Sequence, residues 1–232
     1  GDMTAEGRDK VAILCKNRPE WVMLDMAVQQ IGAILVPVYP TINVNELAFV
    51  LSDAQVKMAF VNDEDLFLKV VSLKDKVPSL KDIFTFEHVQ NARHWKEVTA
   101  LTSAEGIAEA KKIAATIEYE HLATIIYTSG TTGTPKGVML SHKNILSNVI
   151  ASSPCFPPGD NPRSLSFLPL NHIFERMVTY LYLFNQTSIY YAESLDTIGD
   201  NLKEVKPNMF TTVPRLLEKV YDKIMQKGND LA

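Results

Sequence analysis

Several features that would place the chain in a specialised class of protein are missing from its sequence. The longest apolar stretches, 31–39 and 177–184, are far shorter than the ~20 residues that a membrane-spanning helix needs. The polar start, GDMTAEGRDK, has no signal-peptide character. With 23 basic and 27 acidic residues and no basic cluster, the chain lacks the charge pattern of a nucleic-acid-binding protein. We therefore predict no nucleic-acid partner and a cytoplasmic location, and leave a peripheral membrane contact open.

Cysteine is also scarce. Cys15 and Cys155 fit neither the spacing of a metal site nor that of a redox motif. We interpret both as reduced thiols of a cytoplasmic protein, and a disulfide between them stays open at this point. Because the sequence has no repeat, no low-complexity tract and no convincing linker, we do not divide its 232 residues into independent domains.

Short strand-like runs alternate with helical patterns along the chain, which predicts an α/β fold. Asn17, Asn43 and Ser141 are predicted to cap helices. The expected architecture is a layered, mostly parallel sheet flanked by helices, with ligands bound at the carboxyl ends of strands. The predicted strands are KVAILC, ILVPVY, KMAFV, DIFTFE, LSFLPL, TSIYYAE and NMFTTV.

The most informative segment is TIIYTSGTTGTPKGVMLSH, from Thr124 to His142. A strand-like run enters a loop of small hydroxyl residues and glycines before an amphipathic segment, which predicts strand, loop and helix. Gly130, Gly133 and Gly137 are expected to adopt positive φ and to let the backbone approach a ligand. Lys136 would add a positive charge to this anion-binding loop. The hydroxyl donors of the loop are Thr128, Ser129, Thr131, Thr132 and Thr134.

The loop follows neither of the two common nucleotide-binding patterns. Lys136 lies between Pro135 and Gly137 instead of preceding Ser or Thr, and the glycine spacing differs from the dinucleotide fingerprint. Its segment YTSGTTGTPKG resembles the phosphate signature of the adenylate-forming enzymes, which include acyl-CoA synthetases, luciferases and peptide-synthetase adenylation domains. Segments 9–41, 166–177 and 206–224 resemble the same superfamily, closest to its long-chain fatty acid–CoA ligases.

This resemblance implies a fold, an activity and a set of small-molecule partners. The chain would form part of the large N-terminal domain, so residues 1–232 are expected to be a single incomplete domain without the later motifs and the C-terminal lid domain. The implied reaction is ATP-dependent activation of a long-chain fatty acid to an acyl-adenylate and then to acyl-CoA, with release of AMP and pyrophosphate. Fatty acid, ATP, coenzyme A and Mg²⁺ are the implied ligands, and a homodimer is left open.

The resemblance also assigns roles to individual residues. Lys136 and His172 are the expected catalytic residues, with His172 beside the α-phosphate and the substrate carboxylate. Thr128 would assist the metal ion. Glu175 and Arg176 are interpreted as pairing with surface groups and are left out of the site. The expected phosphate-binding residues are Thr128, Ser129, Gly130, Thr131, Thr132, Gly133, Thr134, Lys136 and Gly137.

Two other functions stay open at the level of the sequence. An aryl or amino acid adenylating enzyme of the same superfamily would share the mechanism and differ in substrate. A nucleotide-binding or interaction module would keep the fold without catalysis. In either enzymatic case the 232-residue chain alone is expected to turn over little, because the segments absent from it contribute metal, ribose and lysine contacts.

Overall fold

A computed structural model of the chain describes residues 7–128, 134–156 and 161–229. Its main sheet has seven strands in the order β5-β4-β3-β1-β2-β6-β7, and every neighbouring pair is parallel except β6 and β7. The mostly parallel α/β sheet predicted from the sequence is confirmed. The strands are β1 (Lys10–Leu14), β2 (Ile34–Val38), β3 (Met58–Val61), β4 (Asp82–Thr85), β5 (Arg93–His94), β6 (Leu122–Thr128) and β7 (Lys136–Ser141).

Helices cover both faces of this sheet, which explains why its central strands β1 and β2 are buried at every position and consist almost entirely of apolar residues. On β1, Ala12 and Leu14 pack against the helices α2 and α3, whereas Val11 and Ile13 face the opposite side with Trp21 of α1. The helices are α1 (Pro19–Gln30), α2 (Val44–Asp53), α3 (Glu64–Val71), α4 (Lys96–Ala100), α5 (Ala104–Ala114), α6 (His142–Ser152), α7 (Ile173–Phe184), α8 (Ile198–Val205) and α9 (Pro214–Asn229).

A second, smaller sheet contains β8 (Arg163–Ser166) and β9 (Ser188–Tyr191), which pair in parallel and are connected through α7. The predicted strand NMFTTV is wrong, because Met209 forms only an isolated bridge to Ser164 and the residues after it form no ladder. The β-branched composition of that segment fits a strand, but a strand also needs a partner along its whole length.

Two of the three predicted helix caps are present. The Asn43 side chain accepts hydrogen bonds from the backbone N–H groups of Asn45 and Glu46, and Ser141 accepts one from Asn144. The prediction for Asn17 is wrong, since Arg18 occupies the N-cap position of α1 and makes no side-chain capping bond. The Asn17 amide instead contacts a loop about 150 residues further along the chain.

The prediction of strand, loop and helix between Thr124 and His142 is wrong for the segment after the loop. Residues 136–141 form β7, which pairs antiparallel with β6, and the helix α6 begins only at His142. The cross-strand partners Ile125–Met139 and Ile126–Val138 show why this segment is extended. The loop therefore connects two adjacent antiparallel strands.

Candidate functional site

A cavity of about 710 Å³ opens where β2 and β6 end. This is the edge of a parallel sheet at which ligands bind, and the volume lies within the range of ~300–1,000 Å³ that is usual for small-molecule sites. Its walls come from the end of β2, the first turns of α2, the β6–β7 pair and the start of α7. The lining residues include Val38, Tyr39, Thr41, Glu46, Val50, Ile126, Thr128, Pro135, Val138, Leu140, His172 and Ile173.

Thr128 and Lys136 are directly opposite each other, where β6 ends and β7 begins. Residues opposite each other on antiparallel strands share a face of the sheet, and so do residues two apart along one strand. Val138 and Leu140 of β7 line the cavity, so the alternation places exposed Lys136 on the cavity face of that strand. Thr128 therefore lines the cavity, and Lys136 lies opposite it on the same face of the β6–β7 pair.

Gly137 has a different role from the one expected. It lies inside β7 and its φ is not in the left-handed region, so the prediction of positive φ is wrong for this glycine. A Cβ at this position would lie 2.8 Å from Ile125 Cγ2 and 3.2 Å from Tyr127 Cζ. Glycine is therefore required by the side chains of β6 on the face away from Lys136.

Five of the expected phosphate-binding residues lie outside the described part of the chain, namely Ser129, Gly130, Thr131, Thr132 and Gly133. Thr134 is exposed just before β7, and the neighbouring Pro135 lines the cavity. The phosphate-binding role of the whole loop stays a prediction.

His172 is the N-cap residue of α7 and lines the same cavity as Thr128. Its Nδ1 accepts a hydrogen bond from the backbone N–H of Phe174 at 3.2 Å. Because an accepting nitrogen carries no proton, this bond fixes the neutral ring as the tautomer with hydrogen on Nε2. His172 therefore has one N–H donor left for a ligand.

The interpretation of Glu175 and Arg176 as surface groups is wrong, because both are buried. Glu175 Oε1 accepts from Ser166 Oγ at 2.6 Å, and Oε2 accepts from Thr211 Oγ1 at 3.0 Å. Burial raises the pKa of the Glu175 carboxyl to about 7, although both hydroxyl donors act to lower it. Their i, i+3 and i, i+4 spacing from Val178 and Thr179 was the available sequence signal, since it puts all four residues on the buried face of α7.

The structure does not assemble a metal site from the residues that it describes. Among residues 7–128, 134–156 and 161–229, no group of three or more His, Cys, Asp and Glu side chains is placed to hold an ion. Thr128 and Glu46 line the same cavity but do not make such a group. The predicted role of Thr128 toward Mg²⁺ stays a prediction.

The helices of the described ranges include none long and apolar enough to cross a membrane. Cys15 and Cys155 are both free, so the disulfide left open by the sequence is not formed. Cys15 is buried, whereas Cys155 is exposed to solvent.

Comparison with proteins of known identity gives consistent results. The chain is 32% identical over 232 residues to long-chain-fatty-acid–CoA ligase 5 of Mus musculus and 32% identical over 233 residues to long-chain-fatty-acid–CoA ligase 1 of Homo sapiens. Each alignment covers 94% of this chain, but 34% of the mouse protein and 33% of the human one. The chain thus spans about a third of the length of these curated relatives.

Solved structures of adenylate-forming enzymes share the fold. The A-PCP didomain of the carboxylic acid reductase of Segniliparus rugosus, solved with AMP, matches 97% of this chain and 35% of its own, with a TM-score of 0.76 and 21% identity. The o-succinylbenzoate CoA synthetase of Bacillus subtilis, solved with its acyl-adenylate intermediate, matches 94% of this chain and 53% of its own, with a TM-score of 0.67 and 18% identity.

The family assignment rests on the sequence as a whole. Residues 4–231 match the family of AMP-binding enzymes, so the match includes both the loop before β7 and the start of α7. The fold agrees with that match. The chain belongs to the AMP-binding enzyme family.

Proposed function

We propose that this chain contributes the phosphate-binding part of an ATP-dependent acid–thiol ligase that activates long-chain fatty acids. The observation that carries the proposal is that Thr128 and His172 line one cavity at the carboxyl ends of β2 and β6, with Lys136 paired opposite Thr128 on the neighbouring strand. The similarity to long-chain-fatty-acid–CoA ligases supports fatty acids as the substrate class.

The proposed reaction has two steps. In the first, an oxygen of the fatty acid carboxylate attacks the α-phosphorus of ATP, the bond to the β-phosphate breaks, and pyrophosphate leaves. In the second, the thiol of coenzyme A attacks the acyl carbon of the adenylate, loses its proton and expels AMP. Both reactants of the first step are anions, so positioning and charge neutralisation are the main tasks of the protein.

The residues at the cavity fit these tasks. The Lys136 ammonium would neutralise charge on the β- and γ-phosphates, and the Thr128 hydroxyl would donate to a phosphate oxygen. His172 would donate its Nε2–H toward the reacting phosphate, because its Nδ1 is already occupied by the Phe174 N–H. One such preorganised donor typically contributes ~3 kcal/mol to stabilising a transition state.

Carboxylate-dependent exchange between ATP and pyrophosphate tests the first step without requiring a thiol. The full-length product of the gene would be assayed with fatty acids of graded length, aryl acids and amino acids. We expect exchange that peaks at one fatty acid length and that Lys136→Ala lowers by roughly 100-fold in rate, since it removes one preorganised charge.

Lys143→Ala is the matched control. Lys143 is also an exposed lysine, but it lies on α6 and pairs with Glu120 at 2.5 Å away from the cavity lining. Its replacement should leave exchange unchanged. An equal effect of both substitutions would show that Lys136 acts only through general charge and would contradict its proposed role.

Two alternative functions give different outcomes in the same assay. Exchange with an aryl or amino acid in place of every fatty acid would keep the mechanism and change the substrate class. Binding of ATP without exchange for any carboxylate would favour a non-catalytic nucleotide-binding module. Four expectations from the sequence stay predictions: the single incomplete domain, the cytoplasmic location, the peripheral membrane contact and the homodimer.

A further inference from the structure

The loop between β8 and α7 is held against the main sheet by a distant side-chain amide. Asn17 Nδ2 donates to the carbonyl of Leu168 at 2.6 Å, and Asn17 Oδ1 accepts from the N–H of Leu170 at 2.9 Å. The Leu170 side chain is fully buried beside Trp21 and the strands of the main sheet. The loop that leads into His172 is thus fixed by hydrogen bonds and by packing.

Asn171 makes the last connection before His172. Its Oδ1 accepts from Trp21 Nε1 at 3.0 Å, and its Nδ2 donates to the carbonyl of Val38 at 2.9 Å. Asn171 is 3% exposed and Trp21 is fully buried, so neither bond competes with water. The indole N–H of Trp21 needs an acceptor and the carbonyl of Val38 needs a donor, and the single amide group of Asn171 supplies both.

The bond to Val38 connects two walls of the candidate site, and the bond from Trp21 anchors the same amide in the core. Val38 ends β2 and lines the cavity, whereas His172 follows Asn171 and lines it from the start of α7. The Asn171 amide therefore ties the α7 wall of the cavity to its β2 wall. A shift of this tie would move the His172 backbone and with it the remaining N–H donor of the imidazole.

We infer that Asn171, supported by Trp21, is a positioning residue that sets His172 at the rim of the cavity, an inference that rests on the proposed function. Asn171 is not among the residues that line the cavity, so it acts through the position of its neighbour. Because a misplacement of ~1 Å in an active site costs about 100-fold in rate, loss of the tie is expected to slow adenylation by at least tenfold. The KM for ATP should change little, since Lys136 and the loop are untouched.

A double-mutant cycle between Asn171 and His172 tests this inference in the full-length protein. Asn171→Leu keeps the approximate size of the side chain and removes both hydrogen bonds. It would be compared in the wild-type background and in the His172→Ala background by ATP–pyrophosphate exchange. If Asn171 acts through His172, its replacement lowers the rate at least tenfold when His172 is present and less than twofold when His172 is alanine.

Thr124→Val is the matched control for the loss of a buried hydrogen bond. Thr124 is fully buried on β6 and its Oγ1 donates to the carbonyl of Leu35 at 2.6 Å, outside the lining of the cavity. It should destabilise the fold without a comparable loss of kcat. Equal losses for Asn171→Leu and Thr124→Val, or equal losses for Asn171→Leu in both backgrounds, would overturn the inference.

Trp21→Phe keeps the test decisive if Asn171→Leu does not fold. It removes the indole N–H that donates to Asn171, together with part of the ring, and retains a smaller aromatic ring in the core. Its effect on exchange should also disappear in the His172→Ala background, and persistence there would overturn the inference. Failure of the proposed function would have a different result: the wild-type protein would show no ATP–pyrophosphate exchange with any carboxylate.

Discussion

Arg176 of α7 and Asp25 of α1 form an ion pair in the interior of the protein, with Nη2–Oδ1 at 2.5 Å and Nε–Oδ2 at 2.9 Å. Each side chain is 1% exposed. Burial by itself lowers the pKa of the Arg176 guanidinium, but the neighbouring Asp25 carboxylate outweighs it and raises that pKa. Tyr180 and Gln29 complete the network, since the Tyr180 hydroxyl and the Gln29 amide both donate to Asp25.

Removing one partner of this ion pair should destabilise the protein strongly. We expect Asp25→Ala to lower the free energy of unfolding by ~3–5 kcal/mol, because it leaves the Arg176 charge buried without compensation. Urea unfolding at neutral pH measures the change. The exposed pair Asp200–Lys203, at 3.0 Å, is the control, and Asp200→Ala should cost less than ~1 kcal/mol. Similar losses at both sites would contradict a special contribution of the buried pair.

Glu175 should make the stability of the protein depend on pH between about 4.5 and 7. Its folded pKa is raised from 4.5 to about 7 by burial, so the folded state holds a proton that the unfolded state has lost. The stabilisation is fully present below pH 4.5 and is lost as the pH rises through 7, with a total on the order of 3 kcal/mol.

Glu175→Gln removes this titration while keeping the shape of the side chain. Urea unfolding of both proteins at pH 5 and pH 8 gives the comparison. The wild type should lose more free energy of unfolding than the variant over this interval. Parallel pH profiles for the two proteins would show that Glu175 has the same pKa in the folded and unfolded states.

Gly137→Ala should destabilise β7, because the added Cβ would lie 2.8 Å from Ile125 Cγ2. We expect a loss of ~1–3 kcal/mol, which is typical of overpacking. Gly199→Ala is a matched control in α8, where an added Cβ has nothing within 4 Å, and alanine there should stabilise the helix by up to ~1 kcal/mol. Thermal unfolding of the two variants shows whether each substitution lowers or raises the stability of the protein. A neutral Gly137→Ala would contradict the contact with β6.

The two cysteines should react with thiol reagents at very different rates. Cys15 is 2% exposed, its Sγ donates to Asn62 Oδ1 at 3.0 Å, and burial raises the pKa of its thiol to about 12. Only the thiolate is nucleophilic, so a maleimide should label Cys155 alone in the native protein and both cysteines in urea. Mass spectrometry after labelling measures the number of modified cysteines. Rapid native labelling of Cys155→Ser would show that Cys15 is accessible.

Local patterns were enough to predict the caps at Asn43 and Ser141, because the bonds that define a cap join residues within three positions. The same pattern at Asn17 was misleading. Its amide is used by Leu168 and Leu170, which no local rule connects to it. The sequence around Asn17 is compatible with both uses, and only the packing of the β8–α7 loop decides between them.

The site shows the same division between local and distant information. The motif 127–137 predicted an anion-binding loop, a role that stays a prediction, and the structure places Thr128 and His172 in the lining of one cavity. The strand at 136–141 was missed because its extended form depends on pairing with β6. Glu175 was missed because a charged residue near a helix start is usually solvated, and its burial depends on Ser166 and Thr211.

The contacts of Asn17, Trp21 and Asp25 also have a consequence for the order of folding. Their partners Leu168, Asn171 and Arg176 follow 150 or 151 residues later in the chain. Contacts of such separation form late, since the intervening chain must first lose its freedom. At a synthesis rate of ~5–20 residues per second, roughly 8–30 seconds pass between the synthesis of α1 and that of these partners. During that interval, a buried tryptophan N–H and a buried carboxylate of the finished core are still accessible to water.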